Sequence, residues 1–379
     1  MMLLCCPGNL LVFYIYFDRW RKTTSRVFII ALALFDLVNG FVTTPTELAF
    51  MWNIFRWKDA PICKFSRFLT FMMNNASSFT LLGIAIDRYM RICRPLNPSM
   101  TTKSAKIWVF VSCFAAVLFA WPALVIYGIQ TIPYPIPKTP YVAVGKTCLI
   151  EDYFNKTKYP LVFTIVVLSG NLIIDTVLIT LYTLIAIQVI KRGSFDRDRD
   201  SSVRKKLRKA STSTTTTEDG VLEDPKSNNE VKGSSMLERF SKKFHGSIKE
   251  SESSKKDEKQ KPPQSPSRRR SNFRRQRSLS IQSEEARRVR MIKTTVMLFL
   301  VTLLFMVSFI PYCVIVIYRY VNPTYYFTLS TTGKGVYQFF LRSYLLSMSL
   351  NPVIYSFMSE QFREECKYGL KKLMFWKKK

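Results

Sequence analysis

A single histidine stands in 379 residues, and it is His245, in a stretch of Ser, Thr, Lys and Glu with almost no aromatics. Imidazole acid–base chemistry and histidine-held zinc therefore have nothing to work with in the apolar parts of the chain. No nucleophile or metal-ligand constellation occurs there either, so the chain is read as no enzyme. Acids are scarce, with 26 Asp and Glu against 56 Lys and Arg, for a formal net charge of +30. The first apolar run, residues 1–17, has no charged leader and no small-residue cleavage site. Arg19, Arg21 and Lys22 follow it rather than precede it, which excludes a signal peptide. The inverted repeats common in transporters are also missing.

What is present comes in blocks. A bilayer core of roughly 30 Å needs about 20 apolar residues in helix. Six such stretches lie near 27–51, 68–86, 107–130, 159–190, 294–318 and 335–358. Residues 1–17 are too short to cross and are expected to be the second half of a seventh span whose beginning precedes this sequence. The expected fold class is an all-α membrane protein: a seven-transmembrane helix bundle with a truncated first helix, plus an amphipathic interfacial helix. Its expected organisation is helices one to five in 1–190, a disordered cytoplasmic loop in 191–285, helices six and seven in 286–358, and an interfacial helix with a short tail in 359–379.

The location of the positive charge argues against nucleic acid as a partner. With residues 1–17 running inward, the inner segments 18–26, 88–106, 191–293 and 359–379 hold 45 of the 56 Lys and Arg. That asymmetry puts the C-terminal end in the cytoplasm, where part of the basic excess meets anionic lipid. Six of the eight cysteines fall in spans or on the reducing side; Cys63 and Cys148 face outward, either as a disulfide pair or by chance placement. Between them, Pro133, Pro135, Pro137 and Pro140 precede alternating β-formers up to Cys148, which predicts a short hairpin. Asn155, Lys156 and Thr157 form a glycosylation sequon on the outer side.

The 191–293 stretch cannot bury enough apolar surface to offset its ordering entropy. Its serines beside basic clusters, such as Ser211, Ser271 and Ser280, are either basophilic kinase sites or incidental members of a solvated loop. In the tail, Phe362, Leu370, Leu373, Met374 and Phe375 alternate with Arg363, Lys367, Lys371 and Lys372, the pattern of a helix in the membrane interface. Cys366 there carries a palmitoyl group or stays a free thiol.

The residues that point to function are spread over the spans: Gly8 and Asn9; Leu32, Ala33 and Asp36; Cys63; Asp87, Arg88 and Tyr89; Pro122; Pro311; and Asn351, Pro352 and Tyr355. In this order and spacing they resemble the rhodopsin-like (class A) family of G-protein-coupled receptors. The resemblance implies that Arg88 pairs with Asp87 at rest. On activation it turns to a cleft that receives a G-protein helix, with Tyr182 and Tyr355 holding the open state and Leu96 filling an apolar pocket on the G protein. The alternative for Arg88, an interfacial anchor, leaves its neighbours unexplained. Asp36 mid-membrane must be protonated or find polar company. The resemblance supplies Asn9, Ser77, Ser347 and Asn351, with sodium as an allosteric ion; a neutral, hydrogen-bonded acid is the alternative. No other metal or cofactor is implied. Pro311 and Pro352 interrupt their helices and make hinges. Arrestin and receptor kinases are further partners that the family implies.

Departures from the family's pattern are informative. Phe309 replaces the tryptophan before Pro311, Ile174 stands where the fifth span usually has proline, and the fourth span has Trp108 and Trp121 at its ends with none in its middle. Met291 provides no acid for Arg88 at the sixth helix, from which raised basal signalling is expected. Thr70 occupies the place of the amine-binding aspartate and Leu345 that of the retinal lysine, against a monoamine receptor and an opsin. Glu47, Glu151, Asp152, Arg319 and Arg342 give a mouth of both charge signs, and Tyr127, Tyr312, Tyr337 and Leu341 add aromatic and apolar surface. Such a pocket suits a peptide, a neuropeptide above all. Lipid or another small molecule is the alternative, and Glu47 and Arg319 as interfacial anchors the bland reading. From another class, a transporter would use Asp36, Glu47 and Asp175 as a cation path.

Overall fold

The computed structural model describes residues 2–19, 22–135, 141–212, 266–322, 324–360 and 362–368. They contain α1 (Met2–Tyr14), α2 (Thr24–Trp52), α3 (Ala60–Cys93), α4 (Thr102–Ile126), a hairpin of β1 (Tyr127–Pro135) and β2 (Val142–Ile150), α5 (Tyr159–Thr212), α6 (Pro266–Val321), α7 (Thr331–Phe340), α8 (Leu345–Met358) and α9 (362–368). Five of these are long and apolar enough to cross a membrane, and Met2–Asp18 and Leu345–Met358 are shorter apolar helices. Residues 1–195 and 286–379 form one compact unit and 196–285 another.

Three boundaries differ from the sequence expectation. The fourth span stops at Ile126 rather than near 130, because Tyr127 already pairs with Ile150 at the base of the hairpin. The stretch 335–358 is no single helix: residues 341–344 form a turn between α7 and α8, anchored where Ser343 donates to the Ser308 carbonyl at 2.6 Å. Helix also continues past Lys191 to Thr212 and begins at Pro266, where a loop was expected. Lys- and Arg-rich segments without proline have helix propensity enough to prolong a membrane helix already nucleated. The remainder of that loop, 213–265, and most of the expected amphipathic pattern beyond Tyr368 lie outside the described residues.

Proline chemistry shapes two of the helices. Pro45 cannot donate within α2, and the turn before it, Asn39–Thr43, widens to a π-helix. Thr43 bonds the Asn39 side chain at 3.1 Å and Thr44 the Asn39 carbonyl at 3.1 Å, so the widened turn keeps its polar groups satisfied. In α6 Pro311 leaves the Val307 carbonyl without its donor.

The core lies where α1, α2, α3, α4, α6 and α8 meet, around Val12, Phe28, Leu32, Leu81, Leu298 and Tyr355. Phe362 of α9 is buried and stacks on Tyr16 at 6.2 Å, which docks α9 on the π-helical turn Ile15–Arg19 that continues α1. Glycine allows two close approaches: a Cβ at Gly8 would meet the Pro352 ring, and one at Gly83 would overlap the Trp108 indole. Trp108 lies inside α4, and its Nε1 donates to the Phe79 carbonyl at 2.9 Å. Trp108 thus lies nearly two turns inside α4 rather than at its end, because α4 starts at Thr102 and packs that indole against α3, while the middle of the helix has no tryptophan. By contrast Ile107, Phe110, Val111, Phe114 and Leu118 of the same helix are exposed, the lipid-facing side.

Gly83→Ala should destabilise the bundle by about 1–3 kcal/mol through overpacking, and Trp108→Leu in the same protein should return much of the loss. Thermal unfolding in detergent of the single and double variants measures both.

Candidate functional site

Three buried carboxylates mark three levels of the bundle. At the inner end of α3, Asp87 is fully buried and Arg88 is 5% exposed. Arg88 Nη2 donates to Asp87 Oδ2 at 2.5 Å and to Ser25 Oγ at 2.8 Å. One helical turn on, Arg91 Nε reaches Asp87 Oδ1 at 3.0 Å, and its Nη2 donates to Thr24 Oγ1 and the Met100 carbonyl, each at 3.1 Å. Thr24 Oγ1 also donates to Asp87 Oδ2 at 3.2 Å. Asp87 therefore carries two guanidiniums and a hydroxyl from the start of α2. The spacing of Asp87 and Arg91 puts them on one helix face; sequence reasoning passed over Arg91 although that spacing was visible.

The other inner-end residues are in different positions. Tyr89 is half-buried against Ala85, Leu178 and Tyr182, and Tyr182 is hydrogen-bonded to Thr302 of α6 at 3.2 Å. Tyr355 is buried against Tyr16, with ring centroids 6.1 Å apart. Its hydroxyl has no partner among the described residues. Tyr182 and Tyr355 thus belong to separate packing clusters here. Leu96 is 98% exposed in the loop after α3.

At mid-height Asp36 Oδ2 accepts from Asn351 Nδ2 at 2.9 Å. Beside them is a cavity of about 10 Å³, roughly room for one water. Asp36, Ser77, Ser347 and Asn351 all line it, together with Asn39 and Asn74. Asn9 does not: its Nδ2 donates to the Cys5 and Met348 carbonyls at 3.0 and 2.9 Å, so it ties α1 to α8 next to Pro352. The expected polar set is corrected accordingly, because the Asn9 amide nitrogen is divided between a carbonyl of its own helix and one of α8. Asn39 follows Asp36 by three residues and Asn74 precedes Ser77 by three, so helical spacing alone could have found both. From this cavity an aromatic series leads outward: Phe305 to Phe309 at 6.3 Å, Phe309 to Tyr312 at 5.1 Å and Tyr312 to Tyr344 at 5.4 Å.

At the outer level Glu47 is 2% exposed. Its Oε1 accepts from Arg67 Nη1 at 2.6 Å and its Oε2 from Arg342 Nε at 2.9 Å. A mouth offering both signs of charge is therefore not what the structure presents at Glu47, whose carboxylate is taken up by two cations. Arg67 was missed, although it falls four residues after Cys63 and three before Thr70, on one face of α3. Thr70 is buried and donates to the Ser66 carbonyl at 2.8 Å. Arg319 is half-buried near the end of α6, Tyr337 packs on Tyr326 at 5.3 Å, and Leu341 is half-buried in the turn after α7. The cation path of the rival transporter reading is not joined: Asp36 lines the cavity, Glu47 is ion-paired above it, and Asp175 on α5 is not part of that lining.

Above this level Cys63 and Cys148 form a disulfide with Cα atoms 5.5 Å apart. Lys146 exchanges backbone hydrogen bonds with Phe55 and Trp57, each at 3.0 Å, and Lys64 pairs with Glu151 at 2.8 Å. The hairpin is thereby fixed to the loop before α3 and to α3 itself. Asn155 is exposed beside it. Among the described residues no cluster of three His, Cys, Asp or Glu could hold a metal.

Asp87→Ala would leave Arg88 buried without its counter-charge, a loss of about 3–5 kcal/mol. Asp87→Asn, which keeps an acceptor, should cost less; thermal unfolding of the purified proteins tests the order.

The family profile described as 7 transmembrane receptor (rhodopsin family) matches residues 8–355. Among curated proteins, the Tachykinin-like peptides receptor 99D of Drosophila melanogaster is 30% identical over 138 residues, 35% of this chain and 26% of its own. Neuropeptide FF receptor 1 of Homo sapiens is 35% identical over 125 residues, 32% of this chain and 29% of its own. The muscarinic acetylcholine receptor gar-3 of Caenorhabditis elegans is 28% identical over 189 residues, 49% of this chain and 29% of its own. The chain spans less than a third of the length of each of these relatives. With the family profile running from the Gly8 contact in α1 to Tyr355 in α8, and the bundle built as described, the chain belongs to the rhodopsin family of seven-transmembrane receptors, multi-pass membrane proteins that are not enzymes.

Proposed function

We propose that the chain is a plasma-membrane receptor, with its C-terminal end in the cytoplasm, that converts binding of an extracellular neuropeptide into activation of a heterotrimeric G protein. The observation that carries this reading is the Asp87 site. Arg88 is held there by one carboxylate and one hydroxyl, while Arg91 and Thr24 hold the same carboxylate independently. Arg88 can therefore leave without stranding Asp87, which is what a reversible switch requires. Outward movement of the inner half of α6 about Pro311 would open the space beside Arg88 for a G-protein helix. Tyr182 would exchange Thr302 for Arg88, and exposed Leu96 would meet the G protein. The peptide assignment is supported by the names of two relatives, by Thr70 where an amine receptor has aspartate, and by the tyrosines around the outer level. Arrestin and receptor kinases would act on the same inner face, with the basic tail against lipid and Cys366, half-buried against the core, as its acylation site.

A sodium ion fits the mid-height cavity as an allosteric ion. Asp36, Ser77 and Ser347 line it, and Asn351 Oδ1 lacks a partner among the described residues. Bound there, the ion would supply the positive charge that Asp36 otherwise lacks, which would favour the resting packing.

In cells with the receptor at the surface, a neuropeptide library should elicit G-protein activation that Arg88→Ala lowers to the level of mock-transfected cells. A response of undiminished size in the variant at equal surface expression would sink the reading. Unstimulated receptor should signal above empty vector in proportion to expression. Met291 offers Arg88 no carboxylate, and the surface pair of Lys293 in α6 with Glu360 just after α8 contributes only about 0–1 kcal/mol. The orientation has its own check: a glycosidase-sensitive mass shift should disappear in Asn155→Gln.

A further inference from the structure

The outer level holds more positive charge than its geometry uses. One carboxylate, Glu47, is shared by two guanidiniums whose side chains are only 17% and 14% exposed. Arg342 also donates to Gln338, at 2.5 Å to its side-chain oxygen, which neutralises nothing. Arg67 is only partly engaged: Nη1 meets Glu47, its guanidinium lies 5.2 Å from the Phe50 ring, and its buried Nε has no acceptor among the described residues. Around it Tyr344, Tyr127 and Tyr312 lie within electrostatic reach, all hydroxyls able to donate. A surplus guanidinium away from bulk water is costly unless an anion meets it. The other acids described on the outer side are placed elsewhere: Glu151 is engaged by Lys64, Asp152 by the backbone N–H and hydroxyl of Thr131, and Asp59 is exposed to solvent before the first turn of α3.

The geometry points to a carboxylate-binding subsite formed by Arg67 and Arg342, with Glu47 as the built-in occupant that spaces the two guanidiniums and a carboxylate of the ligand as its competitor. Resting on the peptide-receptor reading, this gives the ligand class: a peptide that inserts an acidic side chain or a free C-terminal carboxylate, with an aromatic neighbour against Tyr312 and Tyr344. Arg is suited to that task because its planar fork meets both oxygens of a carboxylate. The subsite also tops the aromatic series from Tyr344 to Phe305, so its occupant would press directly on the residues above the Asp36 cavity.

Glu47 separates a ligand site from a purely structural ion triad. If the triad only braces α2, α3 and the turn before α8, any substitution in it should weaken the pocket. If Glu47 competes with the ligand, Glu47→Gln should tighten binding while Arg67→Gln and Arg342→Gln loosen it. Each arginine variant leaves Glu47 with the other guanidinium, so the bundle retains a paired carboxylate. The measurement is thermal unfolding of the purified receptor titrated with four acetylated dipeptides. These carry a side-chain carboxylate only (Asp-Phe amide), a terminal carboxylate only (Asn-Phe acid), both (Asp-Phe acid), or neither (Asn-Phe amide).

Saturable stabilisation by the carboxylate probes and not by the neutral one is expected. Apparent affinity should fall about tenfold in either arginine variant and rise in Glu47→Gln. The first two probes tell which source of carboxylate fits. Stabilisation by the neutral probe to the same extent, stabilisation by none, or weakening in all three variants would overturn the subsite. Probe binding without any peptide-evoked signal would leave the subsite and remove the peptide-receptor reading. Peptide signalling untouched by Arg342→Gln, with silent probes, would do the reverse.

Discussion

Burial of charge at low dielectric is the constraint on which the rest of this bundle depends. A carboxylate inside a helical bundle costs several kcal/mol unless cations or hydrogen-bond donors meet it. Asp36 and Glu47 meet that cost with residues from other segments, and Asp87 with Arg88 and Arg91 of its own helix together with Thr24 of α2. Asp36 draws α8 to α2 through Asn351, Glu47 draws α3 and the turn before α8 to α2, and Asp87 draws the beginning of α2 to α3. The second helix is thus fastened at three heights by charge, while α5 and α6 meet it by no such bond among those described. The arrangement divides the bundle into a half fastened by buried charge and a half held by aromatic and aliphatic packing with neutral hydrogen bonds such as Tyr182 to Thr302 and Thr164 to Tyr320, and the proline hinge of α6 belongs to the second.

That division bears on how a signal could cross. Apolar packing has little directional preference and can be exchanged for another packing of nearly equal area, whereas the ion pairs tolerate few alternatives. Phe305, Phe309, Tyr312 and Tyr344 join the two halves, with Ser343 bonded to the Ser308 carbonyl beside them. A change at Tyr344 therefore acts on the hinge region of α6 through contacts rather than through the fastened helices.

Much of this was legible in the sequence where a residue type is expensive in its surroundings. The apolar blocks, the outward cysteines, the proline-led hairpin and the Asp87–Arg88 junction all announce themselves because alternatives to their placement are few. What escaped were partners on neighbouring helices. Arg67, Arg91, Asn39 and Asn74 lie three or four residues from positions already singled out, so one helical turn of reasoning would have reached them. That Asn9 spends its amide on carbonyls, or that Glu47 binds two arginines rather than facing a ligand alone, depends on tertiary packing that no single segment encodes. Helix ends were misjudged for a different reason: apolarity continues into the hairpin after Ile126 and through the turn after Phe340, and hydropathy does not register a change of backbone geometry.

The widened turn at Asn39–Thr43 holds one residue more than an α-helical turn would, and one residue rotates everything beyond it by about 100°. The inner part of α2, with Asp36, and the outer part, with Glu47, are therefore phased separately, like two dials on one shaft. Loss or gain of a single codon within that turn would re-aim the whole outer half while leaving the inner half in place. A gene built this way can explore new pocket chemistries by length changes as well as by substitution, without disturbing the interior around Asp36.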